Sequence, residues 1–165
     1  MMNIFNQKEQ NYKKVLLLII LVLFILGWLI SEKWQIADLW QQLLLFIFSY
    51  GLGIFFMLGD EKYLQKIYSN ELEKKILITR NPLFLLVLPF LSLFMLTSTG
   101  NIPGIALVIG MNAVLLIEIW QLADKREAFN KYFLNRVENK ISLSEIKIFK
   151  IGFSIYFLFL LLLLR

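Results

Sequence analysis

Apolar residues in this chain collect in long blocks separated by short polar stretches, without the alternation of a half-buried strand or the single stripe of a surface helix. Runs such as Val15–Ile30 and Ile151–Leu164 contain no charged residue. A water-soluble helix needs a polar face, and these runs have none, so their surfaces must meet lipid or other helices. Five blocks predict five spans, at residues 15–30, 39–58, 82–98, 103–122 and 146–164. The fold class that follows is all-α, a polytopic transmembrane helix bundle forming a single domain over residues 1–165. Two polar links, 60–81 and 124–145, separate spans two and three and spans four and five.

The block boundaries carry local signals. A basic segment (Lys8, Lys13, Lys14) precedes the first block, as in a signal peptide. The exit Gly27-Trp28-Leu29-Ile30-Ser31 lacks a small-x-small cleavage pattern, so the block reads as an uncleaved signal anchor. It is short against the ~20 residues that a ~30 Å hydrocarbon core requires, with Tyr12 and Trp34 placed to fill the interface. Asp38 precedes span two as a candidate cap, Trp40 is an interfacial anchor, and Gly59-Asp60 marks the exit. Asn81 followed by Pro82 is a favourable helix start, because Asn caps and Pro fits the first turn. Gly100 is a candidate stop, and only Thr99–Ile102 separates spans three and four, which predicts an antiparallel hairpin.

Beyond Leu122 the helical spacing continues through Phe129, Phe133 and Val137. Span four is therefore expected to run on as an amphipathic cytoplasmic extension to about Glu138, with Glu127 and Lys131 as an i,i+4 pair. Asn139-Lys140 ends it. Ser142-x-x-Glu145 reads as a capping box opening the last helix, on which Lys147 and Lys150 can snorkel. In the first link, Tyr63, Leu64, Ile67 and Tyr68 predict a short surface helix. Leu72 and Ile76 predict another, after Asn70.

Composition agrees with this pattern and narrows the chemistry. The chain is 59% hydrophobic and 18% charged, against about 45–50% and 25% for an average soluble domain. It holds no cysteine and no histidine, which removes disulfides, thiolate ligands, the commonest general base and the near-neutral proton switch. A net charge of +5 in a soluble protein would suggest nucleic acid. Here the accumulation of Lys and Arg in cytoplasmic loops is the simpler cause, and no nucleic-acid partner is expected.

The distribution of charge gives a direction. Three basic residues lie before span one, five between spans two and three, and seven from Asp124 through Lys150, fifteen in all. The other side has two, Lys33 and Arg165. The positive-inside rule then places the N-terminus in the cytoplasm and the C-terminus outside the cell membrane. This orientation depends on the fifth block crossing; if it lay in the interface, the C-terminus would be inside.

Small and polar residues nominate the interior, because helices associate in lipid through close packing and interhelical hydrogen bonds. Span two carries Gln42, Ser49 and Gly53 on one face. Span four carries Ala106, Gly110, Ala113 and Gln121 near one face. Pro89 in span three frees a backbone carbonyl, and Ser92 is placed to compensate. Spans two, three and four are thus the expected core, with spans one and five as flanks.

Four intramembrane polar positions are candidate sites: Glu118, Asn112, Tyr50 and Ser49. Glu118 is the acidic residue inside a span, a costly placement that raises a role in proton or cation handling. The plainer reading is a structural partner for Arg80, Lys125 or Lys150. Asn112 lies about 120° around the helix from Glu118, so the two do not form one site there, and its amide suits a neighbouring helix. Gly51, Gly53 and Pro89 are candidate helix breaks around a cavity, and Gly53, Ala106, Gly110 and Pro89 are the candidate packing or kink positions. The link Asp124–Lys150 has a net charge of +3, too dilute for a polybasic motif. No His-based triad, HExxH, multi-Asp or Walker pattern occurs, so catalytic, metal-binding and cofactor residues are not expected. The leading expectation is a non-catalytic accessory, scaffold or assembly subunit, bound to other membrane subunits or to a second copy of itself in the lipid bilayer. A transporter or channel subunit, with Glu118, Asn112, Tyr50 and Pro89 along the path, is the alternative. A membrane-embedded lipid enzyme is the weakest.

Overall fold

The structure is a computed structural model, and it describes residues 17, 20, 39–60, 78–99, 101–134 and 140–163. Those residues are helices and short connections, with no strand among them. Among the described residues the continuous α-helices are, in order, α1 (Leu39–Gly59), α2 (Pro82–Phe94), α3 (Ile102–Leu122), α4 (Arg126–Phe133) and α5 (Leu143–Leu163). The first block apart from Leu17 and Ile20, the surface helices of the first link, the Asp38 cap, the Gly100 stop and the Val137–Asn139 helix end lie outside the described residues.

Among the described residues three helices are long and apolar enough to cross a membrane: Gln41–Gly59 within α1, Ile102–Leu122, and Leu143–Leu163. The 21 residues of Ile102–Leu122 and those of Leu143–Leu163 each span about 31 Å at 1.5 Å per residue, the thickness of a hydrocarbon core. The apolar helix at Pro82–Thr97 is shorter. Asn81 caps α2, its side chain accepting from the Leu83 amide at 3.3 Å, with Pro82 in the first turn. The α-helical part ends at Phe94 and a π-helical stretch, Met95–Thr99, follows before the turn into α3.

α3 is the centre of the bundle. Residues around its whole circumference are buried, from Ala106 through Ile119, which is the pattern of a helix surrounded by others. α1 packs on it most extensively. A Cβ built at Gly53 would collide with the Leu107 carbonyl, and one at Gly110 would collide with the Tyr50 carbonyl. The two backbones therefore touch at this crossing, a geometry only glycine allows on both sides. Ala106 is buried one turn before Gly110. The C-terminal ends of α1 and α3 both meet Arg80, so the two helices run in the same direction.

α5 packs on α3 and buries Ile146, Phe153, Phe157 and Leu160, while Ile148, Ile151, Ile155, Leu158 and Leu162 are exposed on its opposite side. Its start is a capping box. The Ser142 amide donates to Glu145 Oε2 at 2.7 Å, and the Glu145 amide donates to Ser142 Oγ at 3.3 Å.

Two expectations from the sequence need correction. Span four does not continue unbroken toward Glu138. α3 ends at Leu122, the Lys125 amide folds back to the Leu122 carbonyl at 2.9 Å, and α4 begins at Arg126. The break redirects α4, and Phe129 and Phe133 become buried beside Phe149 and Phe153 of α5. The Asn130 side chain then clamps the entry to α5, donating to the Ile141 carbonyl and accepting from its amide, both at 3.1 Å. The second correction concerns Ser92. The carbonyl that Pro89 leaves without its i+4 donor is that of Leu85, yet Ser92 Oγ donates to the Leu88 carbonyl at 2.7 Å. Its own turn offers the nearer acceptor.

Candidate functional site

The densest polar feature is a buried cluster where the C-termini of α1 and α3 meet the N-terminus of α2. The turn Ile78–Asn81, closed by the Asn81 amide on the Ile78 carbonyl, directs Arg80 into the gap between α1 and α3. Arg80 and Glu118 form a two-point pair: Nε donates to Oε2 at 3.0 Å and one terminal nitrogen donates to Oε1 at 2.7 Å. The other terminal nitrogen donates to the Met57 carbonyl and to Thr79 Oγ1. Both side chains of the pair are almost completely shielded, at 0% and 1% exposure.

Each partner has a physical reason. Met57 lies in the last turn of α1, whose carbonyls point toward Arg80. The negative ends of two helix dipoles and the Glu118 carboxylate converge on one guanidinium, whose planar fork suits such a group. The Tyr132 hydroxyl of α4 donates to Glu118 Oε1 at 3.3 Å, and its ring lies 5.7 Å from the Arg80 guanidinium carbon. Asp60 anchors the far side. Its Oδ2 accepts from the Thr79 amide at 2.6 Å and from Thr79 Oγ1 at 2.5 Å, and lies 3.9 Å from Arg80. Thr79 Oγ1 thus accepts from Arg80 and donates to Asp60, linking the two ionic groups. Asp60 Oδ1 is buried with no hydrogen-bond partner among the described residues.

Such a cluster is expensive to desolvate and holds only when its hydrogen bonds are well aligned. Its effect is positional. One side chain ties α1, the approach to α2, α3 and α4 together at a single end of the bundle.

A second polar group lies deeper, among α2, α3 and α5. Asn112 Nδ2 donates to Ser92 Oγ at 2.8 Å and to the Val108 carbonyl at 2.7 Å. The Tyr156 hydroxyl of α5 faces Ser92 and Asn112 without an aligned hydrogen bond. It and Asn112 Oδ1 are buried and unpartnered among the described residues. Tyr50 points elsewhere, its hydroxyl donating to the Leu17 carbonyl at 3.3 Å, which joins the first block to α1. Ser49 is buried beside it on α1.

The sequence-derived candidates therefore separate into three places. Glu118 belongs to the charged cluster, Asn112 to the α2–α3–α5 contact, and Tyr50, Gly53 and Gly110 to the α1–α3 crossing. Pro89 sits inside α2, partly exposed. Glu118, Asn112 and Tyr50 make their hydrogen bonds to different partners in these three places. Of the three cations weighed for Glu118, Arg80 is the one that pairs with it. Asp60, Thr79, Tyr132 and Tyr156 went unnoticed as site residues because they lie in links or in an apolar run. The only hint was an Arg and an Asp immediately beside helix ends. Among the described residues no group of three acidic, His or Cys side chains is placed to hold a metal ion.

Comparison with family models, with curated proteins and with solved structures finds no match.

Proposed function

We propose that this chain is a five-span protein of the cell membrane, N-terminus inside and C-terminus outside, acting as a non-catalytic accessory or assembly subunit of a membrane complex. The observation that carries the reading is the use made of Glu118. Its carboxylate, the group best suited to proton or cation handling, is held by Arg80 on both oxygens, and Arg80 in turn ties it to the end of α1. Its chemistry is spent on architecture. The charged cluster sits at the end of the bundle to which the basic links belong, in keeping with the fifteen-to-two distribution of Lys and Arg. α1 and α3 run parallel, and the start of α2 adjoins their C-termini, as alternating spans require.

The partner in this reading is another membrane subunit or a second copy of the chain. The exposed side of α1, with Leu44, Phe48, Leu52, Phe55 and Phe56, is the surface offered to lipid or to that partner. Extraction in mild detergent after crosslinking in cells tests it. A complex containing a second polypeptide supports the reading, and recovery of a lone monomer at every crosslinker length contradicts it.

One observation favours transport as a second reading: the unpartnered Asn112 Oδ1 and Tyr156 hydroxyl within the bundle. A polar solute passing between α2, α3 and α5 would find hydrogen-bonding capacity there. Flux in proteoliposomes that survives Asn112→Leu and Tyr156→Phe unchanged eliminates this path.

A further inference from the structure

We infer that the flank of α5 carrying Lys147 and Lys150, together with Trp120 of α3, is a binding site for the headgroup of an anionic phospholipid. The inference rests on the membrane-embedded reading above. Lys150 is seven residues into a 21-residue apolar helix, about 10 Å from the helix start, where a charge must find a polar phase or a partner. Its ammonium nitrogen lies 3.9 Å from the centre of the Trp120 ring, and neither Lys150 nor Lys147 forms an ion pair among the described residues.

The indole is fixed rather than loosely placed. Trp120 Nε1 donates to Ser154 Oγ at 3.0 Å, and Ser154 Oγ donates to the Lys150 carbonyl at 2.8 Å. Trp120 nonetheless remains 54% exposed, although α3 is otherwise the most enclosed helix of the bundle. Lys147 is exposed one turn earlier on the same flank. Two ammonium groups without an ion pair among the described residues and an amphipathic ring therefore share one level of the bundle, at the end that holds Arg80, Lys125 and Arg126. Below them along α5, Ile151, Ile155, Leu158 and Leu162 are exposed. They form an apolar track about 17 Å long.

This sequence of surfaces, cationic then aromatic then aliphatic, is the complement of a phosphate headgroup, its glycerol region and its acyl chains in that order. A soluble anion would use only the first part. A zwitterionic lipid offers the same chains and phosphate, but its choline cation opposes the two lysines.

The test uses tryptophan fluorescence in bilayers. Trp28, Trp34 and Trp40 are changed to Phe so that Trp120 alone reports. The protein is reconstituted in phosphatidylcholine with phosphatidylglycerol, one or the other carrying brominated acyl chains. Quenching at Trp120 is expected to show a roughly fivefold preference for phosphatidylglycerol, falling to no preference in the variant carrying Lys147→Gln and Lys150→Gln. Equal quenching by both lipids in the lysine-containing protein overturns the site while leaving the embedded reading intact. Absence of quenching by either lipid overturns both. Native mass spectrometry of the unmodified chain gives the same decision without the tryptophan changes. Retention of phosphatidylglycerol over phosphatidylcholine, lost on Lys147→Gln and Lys150→Gln, supports the site, and equal retention refutes it.

Discussion

Replacing Arg80 by Gln leaves the Glu118 carboxylate buried with only Tyr132 as a described donor, and leaves the Met57 carbonyl without its cation. Breaking a buried pair from one side costs about 3–5 kcal/mol. Arg80→Gln and Glu118→Gln should each lower the thermal unfolding midpoint in detergent sharply. Replacing both together with apolar residues of similar volume, Arg80→Met with Glu118→Leu, should recover part of the loss, because the two paired charges leave together and Asp60 keeps its hydrogen bonds from Thr79. A double variant less stable than either single one would show that the ionic character itself is required. The sequence made Glu118 conspicuous, since a carboxylate inside an apolar run violates the pattern around it. It could not single out Arg80 from the neighbouring link lysines, or connect Asp60 and Tyr132 to it. The contacts of Arg80 with Asp60, Glu118 and Tyr132 span 20, 38 and 52 positions of chain and arise only when three helix ends converge.

α1 and α3 owe their approach to two glycines, and the remaining glycines supply the control. A Cβ at Gly51 meets nothing within 4 Å, whereas at Gly53 it runs into the Leu107 backbone. Gly51→Ala should therefore be neutral or slightly stabilising, by up to about 1 kcal/mol from helix propensity. Gly53→Ala should destabilise, because a backbone carbonyl cannot move aside as a side chain can. Equal effects of the two substitutions on unfolding in detergent would contradict the backbone crossing. At the start of α5, Ser142→Ala should cost about 1 kcal/mol, read as earlier fraying of the Leu143–Ile146 amides in hydrogen exchange. Both the small-residue faces and the Ser142-x-x-Glu145 cap could be read from spacing alone, since each is a local property of one helix. The break at Ala123–Lys125 could not. The apolar period runs on through Phe129 and Phe133, and only packing against Phe149 and Phe153 of α5 makes the redirected α4 the lower-energy course.

At the scale of the whole molecule, the long apolar blocks have one low-energy form, a helix with its backbone polar groups satisfied internally. That is why helices of membrane-crossing length at Gln41–Gly59, Ile102–Leu122 and Leu143–Leu163 could be anticipated from hydropathy. Which helix sits at the centre was harder to read, because α3 and α5 are similarly apolar. They differ in small residues, and Ala106, Gly110 and Ala113 let neighbours close around α3 where the bulky side chains of α5 do not. The proposed topology adds a direction: the end with Arg80, Glu118 and α4 faces the cytoplasm, and the α2–α3 turn faces out. The chain has no cysteine, so single introduced cysteines report without background. The decisive measurement is labelling of Lys8→Cys, Asn101→Cys, Glu127→Cys and Arg165→Cys by a membrane-impermeant maleimide, in intact and in permeabilised cells. Asn101→Cys and Arg165→Cys should label in intact cells, and Lys8→Cys and Glu127→Cys only after permeabilisation. Labelling of Asn101→Cys and Glu127→Cys from the same side would contradict the proposed topology.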